Sequence, residues 1–203
     1  MKSIVSVPSA LVLGLFLAAA GAASGQSFNV DYGSGYGSPS DAYGAAARQP
    51  GVWNTLTGLE AEPVPLFDVE GRPTTVVIVP SLPFGESRTD LPALSGDEHA
   101  LLDDYFDIHS TPSTFEIRGL APGGYALYTY AFAPDAGYYR TIVGVGGRRT
   151  VIVGGAWPGA LVEGVTHARH VVGVAPGRPL TVTLLGIGHG TLNGFQIVRL
   201  GGR

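Results

Sequence analysis

The segment Ser113–Phe132 limits the possible folds of this chain more than any other stretch. From Phe115 to Arg118, apolar and charged residues alternate, which is the two-residue period of a strand with one buried face. A Gly/Pro-rich turn at Leu120–Gly124 comes next, and the aromatic run Tyr125–Phe132 then suits a pleated, half-buried surface. The pattern predicts a β-hairpin at the middle of an antiparallel β-sandwich.

Short segments of strand character, separated by Gly/Pro turns, also occupy most of the remaining chain. Their number and spacing are typical of an all-β sandwich, and the chain carries no periodic repeat. We therefore predict an antiparallel β-sandwich of the jelly-roll class, with about ten strands and one short helix. Besides the two segments above, the predicted strands are 26–32, 66–68, 74–79, 138–145, 150–153, 160–165, 167–174, 180–185 and 191–200.

The segment Asp97–Phe106 is the best candidate for the helix, because its apolar residues recur at helical spacing. Ser95 lies three residues before Glu98, which is the spacing of a capping box, and acidic residues fill the first turn.

The first 25 residues have the layout of a secretory signal peptide. Lys2 is followed by the apolar stretch Ala10–Ala20 and by the small residues Gly21–Gly25, which suit cleavage. An uncleaved membrane anchor is the alternative, but the apolar stretch is short for a membrane span. We therefore predict a signal peptide at 1–25, a single domain at 26–203, and a location that is secreted, periplasmic or associated with the cell envelope, with no integral membrane span after cleavage.

Charge is distributed unevenly along the chain. Residues 26–117 contain 14 acidic residues and 3 arginines, a net charge of −11, whereas residues 118–203 contain 2 acidic residues and 8 arginines, a net charge of +6. Neutralisation between neighbouring strands is one interpretation, and an acidic patch that attracts a cation is the other. The net charge of −4 argues against nucleic acid as a partner.

Several short motifs, in their order along the chain, resemble the malectin-like and galactose-binding-like jelly-roll modules of exported bacterial proteins. The turn at Gly119–Tyr125 together with the closing strand Leu192–Val198 favours the jelly roll over other sandwiches. The motifs are Phe28–Gly33, Val52–Asn54, Ala100–Phe106, Thr114–Tyr125 and Leu192–Val198. The resemblance implies a module that binds carbohydrate, in many cases with a structural calcium ion near the first and last strands.

Exposed aromatic rings are the residues expected to contact a sugar, because sugar C–H surfaces stack on aromatic faces. Tyr36, Tyr43, Trp53 and Trp157 are the predicted ligand-binding residues, with packing in the core or anchoring of loops as the alternative for each. Tyr138 and Tyr139 are further candidates. We interpret Tyr128 and Tyr130, which share one strand face with Phe132, as packing residues of the sandwich.

Asn29, Asp31 and Asn193 are the predicted metal ligands. Asn29 and Asp31 point the same way from the first strand, and Asn193 lies in the final strand, where the resemblance places calcium. Calcium requires several oxygen ligands, and usually two or more carboxylates. The alternative is that these side chains satisfy backbone groups at strand ends.

Sequence motifs of catalysis are missing from the chain. It has no cysteine, no His-Glu-x-x-His pair, no nucleophile elbow and no P-loop. We therefore predict a secreted, non-catalytic, carbohydrate-binding β-sandwich protein whose partner is a polysaccharide or a cell-surface glycan. The alternatives are a structural or protein-interaction component of the cell envelope without a small ligand and, third, a glycoside-active enzyme.

Overall fold

The protein is an antiparallel β-sandwich with one short helix, as predicted. A computed structural model describes residues 26–33, 35–57, 60, 62–80 and 85–201, so the predicted signal peptide lies outside the described residues. Within the described part, no helix has the length and apolar character needed to cross a membrane.

The described residues form fourteen strands and one helix. They are β1 (Phe28–Tyr32), β2 (Trp53–Leu56), β3 (Val64–Phe67), β4 (Pro73–Pro80), β5 (Glu86–Arg88), α1 (Gly96–Leu102), β6 (Asp104–Ile108), β7 (Ser113–Arg118), β8 (Gly123–Tyr130), β9 (Arg140–Val145), β10 (Val151–Val153), β11 (His167–Val174), β12 (Leu180–Ile187), β13 (Gly190–Leu192) and β14 (Gly194–Arg199).

Two large sheets pack face to face. The five-stranded sheet has the order β11-β8-β14-β1-β2, and the six-stranded sheet has the order β10-β9-β12-β7-β4-β3. A three-stranded sheet, β13-β6-β5, closes one side. Neighbouring strands pair antiparallel, except that β1 and β2 run parallel.

Large apolar side chains from both sheets meet in the main core. Phe115 of β7 stacks on Phe195 of β14, with ring centroids 5.2 Å apart and planes 19° apart, so this contact joins the two sheets. Each such fully buried ring contributes roughly 1.5–3 kcal/mol of hydrophobic stabilisation. Phe28 and Val30 of β1 are fully buried in this core, and Asn29 and Asp31, which alternate with them along the strand, are fully buried as well.

The predicted hairpin at Ser113–Phe132 is wrong. Both of its strands exist, but β7 pairs with β4 and β12, whereas β8 pairs with β11 and β14, so the connection between them crosses from one sheet to the other. Gly119 makes the crossing with a φ of +86°, and a Cβ there would lie 2.7 Å from the Thr75 carbonyl oxygen. Alternation shows which face of a strand is buried, but it does not show which strand is its neighbour.

The predicted helix is shorter than its apolar spacing suggested. It ends at Leu102, and the chain continues directly as the buried strand β6, which contains Tyr105 and Phe106. Ser95 makes no side-chain cap hydrogen bond. Asp97 of the first turn instead accepts hydrogen bonds from the amide and hydroxyl of Ser40, at 2.6 and 3.0 Å.

Two other strand predictions differ from the structure. The segment 160–165 is irregular rather than a strand. The predicted final strand is interrupted at Asn193, which separates β13 from β14. The Asn193 amide group donates to the carbonyl oxygens of Leu102 and Asp104, and its side-chain oxygen accepts from the Phe132 amide at 2.7 Å. This side chain therefore joins the helix end, β6 and the end of β8.

Candidate functional site

A loop covers part of the outer face of the five-stranded sheet, and we call residues 35–50 the covering loop. Three of the four predicted ligand-binding aromatics meet in the apolar cluster next to it. Tyr43 stacks on Trp53 with ring centroids 6.2 Å apart, and Trp157 contacts Phe132 edge-on at 5.6 Å. Trp53 is only 7% exposed, and its indole donates to the Tyr43 carbonyl oxygen. These rings thus hold the covering loop on the sheet.

Tyr36 lies outside this cluster. Its ring packs edge-on against His99, with centroids 4.3 Å apart. The four predicted residues therefore do not form one exposed groove, and their contact with a ligand stays a prediction.

A buried network of amide and phenol groups fixes the covering loop. Tyr130 donates to the side-chain oxygen of Gln196 at 2.6 Å and accepts from the Ala46 amide at 2.9 Å. The side-chain amides of Gln196 and Gln49 both donate to the Asn29 side-chain oxygen at 2.9 Å. The sequence analysis did not predict roles for Gln49 and Gln196. A polar residue within the last strand, Gln196, and another in the long loop, Gln49, were the features that could have indicated them.

The predicted metal ligands lie on β1 and directly before β14, which pair with each other, and their side-chain oxygens differ in availability. The Asn29 oxygen already accepts two hydrogen bonds, and the Asn193 oxygen accepts one from the Phe132 amide. Asp31 is fully buried, and only its Oδ2 has a partner, the Ser38 hydroxyl at 3.1 Å. Its Oδ1 has no hydrogen-bond partner among the described residues.

Asp104 is a second buried carboxylate, its charge acts on Asp31, and its place in the predicted helix gave no signal of this role. Its Oδ2 accepts from the amides of Gly35 and Tyr36 at 2.9 and 3.3 Å, while its Oδ1 has no partner in the described part of the chain. Burial raises the pKa of Asp104 to about 6. Burial, together with the negative charge of Asp104, raises the pKa of Asp31 well above its usual range. Unpartnered oxygens on two buried acids whose charges interact fit a hard cation better than the two asparagines do.

A third group of ionisable side chains connects the helix to the loop before it. His99 Nε2 lies 3.2 Å from Asp103 and 3.4 Å from Asp90. Burial raises the pKa of Asp103 to about 6, although the Leu91 amide, which donates to it, and His99 act in the opposite direction. Because Asp90 is largely exposed, we interpret the group as a polar contact that fastens the helix end.

A groove of about 900 Å³ runs between the edge strands of the two large sheets, β10 and β11. We call it the arginine groove, because Arg148, Arg149 and Arg169 line it. His170 lies in its wall and is 5% exposed, with Nε2 3.0 Å from the Arg149 carbonyl oxygen. Burial lowers the pKa of His170, so its ring is neutral at pH 7 and donates from Nε2.

Next to the arginine groove, the outer face of the five-stranded sheet is open. Tyr128 of β8 is half-buried, so its interpretation as a residue packed in the sandwich is wrong, whereas Tyr130 is fully buried. Arg169 donates from Nε to the Tyr128 hydroxyl at 3.1 Å, and its guanidinium carbon lies 5.8 Å from the ring centroid. Arg169 therefore belongs both to the groove and to this open face, which Val171 continues with 47% of its surface exposed.

A second exposed aromatic group lies outside the arginine groove. Tyr138 is 75% exposed and contacts Tyr139 edge-on at 4.7 Å, and Tyr139 in turn packs against His189 at 5.2 Å.

No protein-family model matches this chain, and no curated protein matches its sequence. Its backbone is similar to that of a family 35 carbohydrate-binding module from Clostridium thermocellum, with a TM-score of 0.37 and 15% identity over 69% of this chain and 100% of that module. It is also similar to TmCBM61, solved with β-1,4-galactotriose, with a TM-score of 0.34 and 14% identity over 63% of this chain and 90% of that one.

A third similar structure is the family GH115 4-O-methyl-α-glucuronidase BtGH115A, with specificity for decorated arabinogalactans. The TM-score is 0.36 and the identity 12%, over 58% of this chain. This chain spans only 16% of the length of that enzyme. These similarities concern backbone shape alone.

Proposed function

We propose that this protein is an exported, non-catalytic carbohydrate-binding β-sandwich, and that sugar binds at Tyr128, Arg169 and the arginine groove. The observation that carries the proposal is the pairing of Tyr128 with Arg169 on an open sheet face beside the groove. A partly exposed ring offers a stacking surface for sugar C–H groups, and a fixed guanidinium offers several donors for sugar oxygens. The motifs that resemble galactose-binding-like modules support the same class of ligand.

The chemistry of the groove supports binding rather than glycoside cleavage. Hydrolysis of a glycosidic bond requires two carboxyl groups on either side of the bond. Among the described residues that line the arginine groove there is no Asp or Glu. The buried acids Asp31 and Asp104 are fully enclosed, so they suit a structural role better than a catalytic one.

We also propose that calcium binds at Asp31 and Asp104. The free oxygens on both carboxylates support this, and a divalent cation would neutralise two charges that burial otherwise disfavours. Asn29 and Asn193 would then hold the surrounding elements in place through their hydrogen bonds, as neighbours of the ion rather than as its main ligands.

Polysaccharide retention in affinity gels tests the carbohydrate proposal. The folded domain should be retarded by at least one polysaccharide, and Tyr128→Ala should weaken the retention about tenfold, because it removes the stacking surface. Tyr138→Ala is the matched control, since it removes an exposed tyrosine outside the groove.

Two results would count against the proposal. If the folded protein is retained by no polysaccharide in a broad panel, a structural or protein-interaction role in the cell envelope becomes the better explanation. If Tyr138→Ala weakens retention and Tyr128→Ala does not, the binding surface lies at the other aromatic group.

A further inference from the structure

Three cationic side chains share the arginine groove without carboxylate partners. Arg148 and Arg149 are exposed in the β9–β10 turn, and Arg169 projects from β11 on the other side. None of the three forms an ion pair with any residue that the structure describes. Several other arginines of the described chain also form no ion pair, so what distinguishes the groove is that three of them lie together.

The fold fixes where two of these charges lie. The β9–β10 turn places Gly146 and Gly147 at φ values of +53° and +72°, and the Arg148 amide donates to the Val145 carbonyl oxygen at 2.9 Å. The Arg149 carbonyl oxygen is then held by His170. The backbone that carries Arg148 and Arg149 is therefore tied at both ends, and their guanidinium groups extend from a fixed point.

Elsewhere in the described part of the molecule, ion pairs of arginine join residues that are close in sequence. Arg72 pairs with Asp68 and Glu70, and Arg118 pairs with Glu116, so those arginines are neutralised by residues close in sequence. Glu163 is the acidic residue whose charge acts on His170, but it does not line the groove. The arginine groove thus keeps an uncompensated positive charge on a molecule that is acidic overall.

We propose that the arginine groove selects polysaccharides that carry carboxylate groups, such as uronic acid polymers. This inference rests on the proposed carbohydrate-binding function and specifies its ligand. A guanidinium group presents its donors in a planar fork that matches the two oxygens of a carboxylate. Tyr128 supplies the ring for the sugar face, and Arg169, held against that ring, brings a cation next to the stacked sugar.

The size of the groove agrees with a short stretch of sugar chain. Its volume of about 900 Å³ lies within the range of roughly 300–1,000 Å³ that is typical of sites for small ligands. The groove lies between sheet edges and is open along its length, where Ile152 and Val171 are 53% and 47% exposed. A polymer could therefore enter without its ends being enclosed.

Polymers that carry carboxylates, esters or sulfates provide the test. We would measure binding of the folded domain to polygalacturonate, to the same polymer after full methyl esterification, and to dextran sulfate, each by calorimetry at two salt concentrations. Polygalacturonate should bind at least tenfold more tightly than its methyl ester, and higher salt should weaken its binding. Dextran sulfate should bind more weakly than polygalacturonate.

Charge-neutralising variants locate the effect. Arg148→Gln combined with Arg149→Gln, and separately Arg169→Gln, should each weaken polygalacturonate binding by roughly 10- to 100-fold. Arg178→Gln is the control, because Arg178 is an exposed arginine that lines a different depression beside Glu116 and Arg118. All four side chains are exposed, so thermal unfolding should show that each variant folds as the wild type does.

The outcomes separate this inference from the proposed function. Equal binding of polygalacturonate and its methyl ester overturns the selection for acidic sugars but leaves carbohydrate binding intact. Dextran sulfate that binds as tightly as polygalacturonate, or more tightly, overturns the selection for carboxylates. If Arg178→Gln weakens polygalacturonate binding as much as the groove variants do, the effect of charge is diffuse, and the selection is overturned as well. If the folded domain binds none of these polymers and no neutral polysaccharide, both proposals are overturned.

Discussion

Asp31 and Asp104 are both fully buried, the charge of Asp104 acts on Asp31, and the Oδ1 atom of each lacks a hydrogen-bond partner within the described part of the chain. A buried acid normally has every oxygen satisfied, because an unpaired polar atom in the interior is costly. The two charges also repel each other, and this pair of carboxylates lacks a positively charged partner among the residues that the structure describes. A divalent cation would be such a partner.

We expect calcium to raise the melting temperature of the wild-type domain relative to the same domain in a chelator. A ligand that binds only the native state stabilises it by about 2.7 kcal/mol at a concentration one hundred times its dissociation constant. Asp104→Asn should abolish this response, because it removes one of the two anionic ligands at nearly constant volume. Differential scanning calorimetry measures both values.

Asp41→Asn is the control for that experiment, since Asp41 is an exposed acid in the covering loop. It should keep the full calcium response. A melting temperature that is the same in excess calcium and in chelator would show that the two carboxylates hold no calcium.

Without calcium, the same carboxylates should make the stability depend on pH. Burial raises the pKa of Asp104 to about 6 in the native state, whereas in the unfolded chain it is about 3.9. The native state therefore binds this proton more tightly, and its contribution to stability is fully present below pH 3.9 and is lost as the pH rises through about 6. His167 and His170 act in the opposite direction, because burial lowers their pKa.

Comparison with Asp104→Asn isolates the carboxylate from the histidines, which both proteins share. The variant should be more stable than the wild type at pH 7.5, by about 2.7 kcal/mol if the native pKa is two units above the unfolded one, and the difference should shrink towards pH 5. Urea unfolding in chelator at several pH values measures it. A difference that does not change with pH would mean that Asp104 titrates normally in the folded protein.

The sequence predicted the class of fold because burial alternates along single strands. His167–Val174 matches β11 in both of its bounds, and 74–79 lies within β4. The pairing of strands could not be predicted in the same way, because it depends on contacts between segments that are distant in sequence. The connection from β7 to β8, which crosses between the two sheets, is an example. The predicted helix was too long because Leu102 and Phe106 have the spacing of one helix face. In the structure the helix ends at Leu102, and Asp104 begins a strand.

The sites were predicted less well than the fold, for a related reason. Asp31 was found because it follows the strand alternation, but Asp104 looked like part of an acidic helix and is far from Asp31 in sequence. The arginine groove combines a turn at Arg148 with a strand at Arg169, and only the edges of two different sheets bring them together. Tyr128 and Tyr130 point to the same side of β8, but only Tyr128 is partly exposed, and no local pattern reports how far the covering loop reaches.

The network under the covering loop gives a stability prediction. Gln196→Ala should lower the free energy of unfolding by about 3 kcal/mol, because it leaves the buried Tyr130 hydroxyl and the Ala47 amide without their acceptor. Tyr130→Phe should cost less, about 1–2 kcal/mol, since the Gln196 oxygen keeps its bond from Ala47 and only the Ala46 amide loses its acceptor. Urea unfolding measures both.

If the network holds the loop, Gln196→Ala should also accelerate protease cleavage within residues 35–50 under native conditions, while the rest of the domain stays intact. Equal costs for the two variants, or unchanged cleavage, would show that apolar contacts such as Tyr43 on Trp53 hold the loop without the network.

Gly33 and Gly37 form a natural pair for testing how tightly Asp104 is enclosed. Both have a positive φ, +119° and +79°, so alanine is strained at either position. At Gly33 a Cβ would also lie 2.5 Å from Asp104 Cγ, whereas at Gly37 it would meet nothing within 4 Å. We therefore expect Gly37→Ala to cost about 1 kcal/mol of unfolding free energy and Gly33→Ala about 3 kcal/mol or more, because Asp104 must move. Gly33→Ala should in addition remove the calcium response while Gly37→Ala keeps it, and equal unfolding costs for the two variants would contradict the close contact between Gly33 and Asp104.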